Sequence, residues 1–212
     1  MKRTKISFVG EKPIFTGSPQ IVPGGFNLDR EKQRFSVGDI IPAGTLAIFD
    51  EVTRKVQIVK TAKVKAIGTK DKKVITLYSN GYCSPCFSVG DKLLQAKSVS
   101  GTFEDAPSIV SIEKPGVSNA PYVITLSAEI SGLAVDDVLV ESSTNAAVIG
   151  EPNSLTIEEV TVKEFETAID VTEDTMQYAV MERRVLPIPD SMKDSTKRYL
   201  KANSHIRLSQ TY

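Results

Sequence analysis

Hydrophobic residues occur along most of this chain in short runs that turn residues separate. From Phe35 onward, branched residues come in groups of four to seven between glycine, proline or aspartate positions. Such runs are typical of strands and not of helices. Residues 55–66 alternate polar and apolar positions for much of their length, so a strand here would bury one face and expose its lysines on the other. The pattern therefore predicts a mainly β protein.

The two ends of the chain differ from this central pattern. Residues 1–35 contain three prolines and four glycines with few apolar repeats, which predicts an extended arm or a loose tail without a folded core. Pro187 and Pro189 precede a segment with roughly helical spacing from Asp190 to Ala202, which predicts a short C-terminal helix. The chain then divides into an arm (1–35), a small β-barrel body (36–186) and a helix with a tail (187–212). Two β subdomains with a break near 100–120 are an alternative organisation of the body.

A short motif recurs before three of the predicted strands. Residues 36–39 and 88–91 both have the sequence Ser-Val-Gly-Asp, and Ala-Val-Asp-Asp occupies a comparable place at 134–137. The spacing is too irregular for a solenoid. Each copy predicts a tight turn that leads directly into an apolar strand. Reuse of one turn within a small barrel and duplication of a half-barrel both account for the motif.

The composition excludes several classes of protein. A chain of 212 residues with 41% hydrophobic and 25% charged residues is long enough to bury a core and is not a disordered protein. It has no apolar run of membrane-spanning length, and no apolar segment follows the basic N-terminus as in a signal peptide. Two cysteines cannot form a disulfide framework, and one histidine, His205, excludes mechanisms that need two imidazoles.

The net charge of zero conceals a strong polarity along the chain. Residues 1–100 carry 17 basic and 8 acidic side chains, whereas residues 101–212 carry 9 and 18. The two halves are expected to lie against each other within one molecule or to meet between subunits. Nucleic-acid binding is disfavoured, because the lysines alternate with apolar residues and the whole chain has little long-range attraction for a polyanion.

Cys83-Ser84-Pro85-Cys86 is the motif with the most chemical potential. A C-x-x-C pair is found in redox dithiols and in zinc sites, but no helix pattern follows it and only His205 remains as a further imidazole or thiol ligand. We therefore expect two reduced thiols in a turn, with a thiol enzyme as the alternative. The acidic pairs do not follow a calcium loop, and no serine nucleophile motif or phosphate loop is present. We predict no catalytic, cofactor or metal site and no enzyme.

Two stretches resemble proteins of phage heads. Residues 37–50, Val-Gly-Asp-Ile-Ile-Pro-Ala-Gly-Thr-Leu-Ala-Ile-Phe-Asp, resemble the first strands of lambda-type phage capsid decoration proteins. Residues 120–141, with the later Pro152-Asn153 and the Pro-Ile-Pro before Asp190, are similar to head-fibre or auxiliary capsid proteins of tailed phages that infect Bacteroidetes. The likeness spans residues 36–200 loosely. It departs from the family at Asp136, where a glycine is common, and in the longer C-terminal tail.

The resemblance implies a β-tulip-like body, a virion protein assembled in the host cytoplasm, and an arm that lies on the capsid shell. Its partners would be the major capsid protein, its own copies in a homo-oligomer and other head-fibre proteins, with neither a membrane nor a nucleic acid involved. The arm residues expected to contact the capsid are Lys12, Pro13, Phe15, Pro19, Ile21, Pro23 and Phe26. A basic face expected to meet acidic coat protein comprises Arg54, Lys55, Lys60, Lys63 and Lys65.

Two alternatives to a capsid-stabilising protein remain open within a virion role. One is the base or anchor of a head fibre. The other is a displayed module that binds carbohydrate or a host surface, which needs an exposed aromatic platform. The clustered aromatic candidates for that platform are Tyr78, Tyr82, Phe87 and Tyr122.

Overall fold

The computed structural model describes residues 13–22, 25–79, 82–97, 106–114, 121–142, 150–172 and 179–210. Short strands dominate these ranges, and the helical segments in them are two 3-10 turns, Glu182–Arg184 and Asp190–Met192. The prediction of a mainly β protein is confirmed. The strands are β1 (Phe26–Leu28), β2 (Ile40–Ile41), β3 (Leu46–Asp50), β4 (Lys55–Ile58), β5 (Thr61–Ile67), β6 (Val74–Leu77), β7 (Lys92–Gln95), β8 (Ile109–Glu113), β9 (Tyr122–Leu126), β10 (Val138–Ser142), β11 (Ser154–Leu155), β12 (Val160–Thr161), β13 (Ala168–Ile169), β14 (Val180–Met181) and β15 (Leu208–Ser209).

Six of these strands, all between residues 61 and 142, form one curled sheet in the order β7-β10-β5-β6-β9-β8. Its two edge strands approach each other at one end, where the N–H of Leu93 donates to the carbonyl of Pro107 at 2.9 Å and Lys92 bridges to Ser108. Apolar side chains fill its concave side, among them Ile75, Phe87 and Tyr122, each at most 1% exposed. Alternation along β9, whose first, third and fifth residues are buried, produces this inner face.

A second sheet has the order β11-β3-β4-β1-β13 and takes its strands from both sides of the first sheet in sequence. It too curls, because Thr156 bridges to Val171 and joins the ends of β11 and β13. Its own apolar cluster includes Phe26, Val56 and Ile169. A further cluster, which contains Leu46, Val140 and the C-terminal Leu200, packs residues from both sheets against the last thirty residues of the chain.

The recurrent motif forms the same turn in all three places. In each copy the third residue has a positive φ, which is +89° at Gly38, +90° at Gly90 and +72° at Asp136. In each copy the closing aspartate carboxylate accepts a hydrogen bond from the backbone N–H of the first residue, at 2.7–2.8 Å. Each turn also exchanges two backbone hydrogen bonds with a neighbouring segment, through Val162, Ile109 and Val64 respectively. The predicted turns before strands β2, β7 and β10 are therefore present.

The prediction that residues 1–35 form an arm without a folded core is wrong for their described part. Strand β1 lies inside the five-stranded sheet, parallel to β4 and antiparallel to β13, and its Phe26 and Leu28 are buried. Ile14 and Phe15 are also buried, and Phe15 bridges to Val180. Short apolar pairs between turn residues are enough to add strands here, because the neighbouring strands supply the hydrogen-bonding partners.

The predicted C-terminal helix is reduced to the 3-10 turn Asp190–Met192. Beyond it, the Asp194 carboxylate accepts hydrogen bonds from the backbone N–H groups of Thr196, Arg198 and Tyr199, which hold a turn instead of a helix. The Thr196 hydroxyl also donates to this carboxylate, and together these bonds lower the pKa of Asp194 to about 2. The suggested break near residues 100–120 is also wrong, since strands on both sides of it belong to one sheet. The two sheets instead separate at residues 58–61 and after Ser142.

Candidate functional site

A buried lysine lies at the junction of the two sheets. Lys60 stands between Ile58, the last residue of β4, and Thr61, the first residue of β5, where the chain passes from one sheet to the other. Its side chain is 0% exposed. A buried ammonium is costly unless it is paired and hydrogen-bonded. Its surroundings therefore have to supply both charge and acceptors.

Two acidic side chains and a carbonyl supply them. The Nζ atom of Lys60 is 2.7 Å from Asp91 Oδ2 and 3.6 Å from Glu141 Oε1, and both carboxylates are at most 4% exposed. Nζ also donates to the backbone carbonyl of Arg34 at 2.6 Å. The ring of Phe35 covers it, with 4.0 Å between Nζ and the ring centroid. We call Lys60, Asp91 and Glu141 the buried triad.

Each member of the buried triad is held by the backbone around it. Asp91 closes the second copy of the recurrent turn, so its Oδ2 also accepts the Ser88 N–H at 2.7 Å. Glu141 lies in β10, and its N–H donates to the Lys60 carbonyl at 3.0 Å. Gln33 donates from Nε2 to Glu141 Oε2 at 3.1 Å, while its Oε1 accepts the Ile58 N–H at 2.6 Å. The positions of all three side chains are thus determined by strands and turns of both sheets.

Burial favours a proton on Glu141 in the folded protein. Burial, opposed by Lys60 and assisted by Asp91, raises the pKa of Glu141 to about 8. Asp91 Oδ1 is buried and accepts no hydrogen bond from any described donor. A protonated Glu141 beside Asp91 leaves one positive and one negative charge in the triad. Glu141 can therefore hold or release a proton near neutral pH in a dry site.

Both cysteines lie at the wall of a cleft of about 420 Å³, and the charges of the triad act on Cys86. Cys83 and Cys86 are buried thiols, and burial raises the pKa of Cys86 to about 12. Burial also raises the pKa of Tyr122, which lines the same cleft and whose hydroxyl donates to the Phe87 carbonyl at 3.4 Å. A reactive cysteine needs a lowered pKa. The environment of Cys86 therefore disfavours the thiol-enzyme alternative.

The five residues of the predicted basic face do not share one surface. Lys60 is buried, so its assignment to a solvated face is wrong: the alternation of residues 55–66 is broken where the chain changes sheet. Arg54 donates to the Gly25 carbonyl at 2.7 Å, and Lys55 pairs with Glu31 at 2.9 Å, both at the second sheet. Lys63 and Lys65 lie on β5 in the other sheet, where Lys63 pairs with Asp136 at 2.8 Å and Lys65 is exposed.

The opposite charges of the two halves meet within this molecule. Lys60, Lys63 and Lys97, from the basic half, pair with Glu141, Asp136 and Asp137, from the acidic half. Strand β10 from the acidic half also lies between β5 and β7 from the basic half. The interpretation in which both halves pack against each other in one chain is therefore confirmed.

The predicted capsid-contact residues are divided between core and surface. Phe15 and Phe26 are buried, so they are not free to contact a shell. Pro13 and Ile21 are exposed and Pro19 is half-buried. Lys12 and Pro23 lie outside the described residues.

The four aromatic residues proposed as a sugar platform are also divided. Phe87 and Tyr122 are each 1% exposed, whereas Tyr78 and Tyr82 are 46% and 44% exposed. The predicted cluster of four therefore does not form an exposed platform.

Within the described ranges, no group of three or more His, Cys, Asp or Glu side chains is arranged to hold a metal ion. No helix in this part of the chain is long and apolar enough to span a membrane. Comparisons of the sequence with protein families and with characterised proteins, and of the fold with solved structures, find no significant match.

The buried triad is the feature that sequence analysis missed. Its members are far apart in sequence, and Lys60 is one of many lysines in a basic stretch. A weak signal was present, because Asp91 belongs to the recurrent turn and Glu141 directly follows the apolar run of β10. Neither signal identifies a partner without the sheet topology.

Proposed function

We propose that this chain is a non-enzymatic structural protein of a phage virion that binds the outside of the capsid and stabilises the head. The sequence resemblance of residues 37–50 and 120–141 to phage decoration and head-fibre proteins suggests this role. The architecture is compatible with it, since the resembling stretches coincide with strands β2, β3, β9 and β10 and with two copies of the recurrent turn. The major capsid protein is the proposed partner.

The proposal rests on apolar side chains that are exposed at the surface. Phe165, between Glu164 and Glu166 in the connection from β12 to β13, is 84% exposed. Val52, at the tip of the β3–β4 hairpin, is 93% exposed. An apolar side chain at the tip of a turn is placed where another protein surface can cover it. The thiols and the triad, in contrast, are buried.

This distribution changes the expected mode of attachment. The cations once assigned to one basic face are divided between the two sheets, and several are already paired with acids of the same chain. We therefore propose that contacts with the shell are mainly apolar, weak individually and repeated over many copies. Such binding responds little to salt, unlike binding through a basic face.

The test is co-sedimentation of the purified protein with phage heads that lack it, using heads of the phage whose genome encodes this chain. We expect saturable binding with a fixed ratio to the major capsid protein, little changed between low and high salt. Phe165→Ser should lower the occupancy, whereas Lys70→Ser, at another exposed loop position, should not. Absence of the wild-type protein from the head fraction would refute the proposal. Binding that is lost in moderate salt would refute the apolar mode.

A further inference from the structure

We propose that the Lys60 side chain and the Asp91 side chain join in an intramolecular amide bond, with Glu141 as the acid–base group that moves the protons. The two reacting groups are in hydrogen-bond contact, at 2.7 Å from Nζ to Oδ2, and Glu141 Oε1 is 3.6 Å from the same nitrogen. The buried triad would thus be a self-modification site. This inference is independent of the proposed capsid role.

The fold holds the two reacting groups in contact. Lys60 Nζ is oriented by the Arg34 carbonyl, and the Asp91 carboxylate is oriented by the Ser88 N–H. The side chains of both residues are 0% exposed, so neither exchanges its partner for water. Reactants held in contact with fixed orientation have effective concentrations far above those reached in solution. The fold supplies this contact without a second protein.

The reaction balances without any further reactant. Protonated Glu141 passes its proton to Oδ1 of Asp91 and then, as a carboxylate, takes a proton from the Lys60 ammonium, so that the neutral amine nitrogen attacks Cγ of Asp91. Negative charge on Oδ2 is stabilised by the Ser88 N–H, while Oδ1, which accepts no hydrogen bond from a described donor, receives protons through Glu141 and departs as water. One ammonium and one carboxylate become one amide and one water molecule, and Glu141 ends in the state in which it began. No oxidant, reductant or cofactor is required.

The dry surroundings favour the amide over the ion pair. In water an amine and a carboxylic acid exist as well-hydrated ions, and this ionisation prevents them from forming an amide. Here the ions are removed from water, so converting them into a neutral amide relieves a desolvation cost. Burial places the pKa of Glu141 at about 8, so its carboxyl group can both give and take a proton near neutral pH. The Phe35 ring over Nζ limits access of water to the nitrogen.

The bond would cross-link the chain within the six-stranded sheet, beside the junction of the two sheets. Lys60 and Asp91 are 31 positions apart, so the new ring would enclose β5 and β6. It would also tie the crossing point between the sheets to the start of β7. A force that pulls on the two ends of the chain would then bypass β5 and β6.

The test is the intact mass of the full-length wild-type protein, purified in the folded state and measured under denaturing conditions. We expect a mass lower than that of the sequence by one water molecule, and a branched peptide that links Lys60 to Asp91 after proteolysis. The full sequence mass would overturn the proposal. A water loss that maps elsewhere, such as a cyclic imide at Asp91 or a bond from Lys60 to Glu141, would overturn it as well.

Variants assign the roles. Lys60→Arg keeps the positive charge but removes the amine nucleophile, so it should retain the full mass, whereas Lys201→Arg, at an exposed lysine paired with Glu151, should still lose water. Glu141→Gln keeps the size of the side chain and should slow formation of the branched peptide by about tenfold or more in a time course that starts from newly synthesised, unlinked protein. Unchanged kinetics in Glu141→Gln would overturn its assigned role.

Discussion

Replacing Phe26 by alanine should destabilise this protein strongly, although the sequence places this residue in a Pro- and Gly-rich segment. Phe26 lies in β1, is 1% exposed, and packs with its ring centroid 5.0 Å from that of Phe49. The Arg54 guanidinium lies 4.4 Å from its ring centroid. The residue is therefore part of a packed core and its loss leaves a cavity inside the five-stranded sheet.

The expected magnitude follows from these contacts. Complete burial of a phenylalanine side chain is worth about 2–3 kcal/mol. The ring pair with Phe49 adds about 0.5–1.5 kcal/mol and the cation over the ring about 0.5–1 kcal/mol. We expect Phe26→Ala to lower the free energy of unfolding by about 3–5 kcal/mol, in line with phenylalanine truncations in other cores.

The assay is urea unfolding followed by far-UV circular dichroism, with the free energy extrapolated to water. Phe165→Ala is the matched control, because it makes the same chemical change at a side chain that is 84% exposed. Its effect should stay within about 0.5 kcal/mol of zero. Equal effects of the two substitutions would refute the placement of β1 in the core and restore the interpretation of residues 1–35 as a loose arm.

The buried Glu141, the turn glycines and the buried Cys86 can each be tested separately. Folding raises the pKa of Glu141 from 4.5 to about 8. Between these values the folded protein holds a proton that the unfolded chain has released. The free energy of unfolding should therefore fall from pH 5 to pH 8, by up to about 1.4 kcal/mol per pH unit. Glu141→Gln should flatten this dependence on pH, whereas Glu166→Gln, at an exposed position, should not. Equal slopes in the wild type and both variants would contradict the burial of Glu141. Gly44→Ala should lower the free energy of unfolding by about 1–3 kcal/mol more than Gly38→Ala. Both glycines have a positive φ, but only at Gly44 would the added carbon meet a side chain, at 2.3 Å. Urea unfolding that shows a larger loss of stability for Gly38→Ala would count against this packing. Iodoacetamide at pH 8 should alkylate Cys86 far more slowly in the folded than in the urea-unfolded protein, since burial raises the thiol pKa to about 12. Peptide mass spectrometry measures both rates, and comparable rates would show that the thiol is accessible.

The fold class and the turns were predictable because their signals are local. Tight turns at Gly38, Gly90 and Asp136 come from four-residue motifs, and the alternation of β9 lies within five residues. The C-terminal helix was mispredicted for an equally local reason. Asp194 captures three backbone N–H groups that a helix would need, and its periodic neighbours do not reveal this.

The buried triad was beyond sequence analysis because it depends on which strands become neighbours. Nothing in the local sequence distinguishes Lys60 from the other lysines of its stretch. Its burial follows from the passage of the chain between two sheets. Phe26 shows the same limit, since β1 is three residues long and no period can be recognised over so short a run. Both residues acquire their environment only from long-range pairing.

The order of the strands along the chain has a consequence for synthesis on the ribosome. All six strands of one sheet emerge as an uninterrupted segment, so that sheet can close while translation continues. Strands β1, β3 and β4 of the other sheet are synthesised early. Their partners β11 and β13 become available only after the whole inserted segment has left the exit tunnel. During that interval the edge of β1 that β13 later covers is unpaired, and unpaired strand edges invite association with other chains. The chain is thus most vulnerable to wrong pairing late in its own synthesis, after its middle has folded and before its last strands arrive.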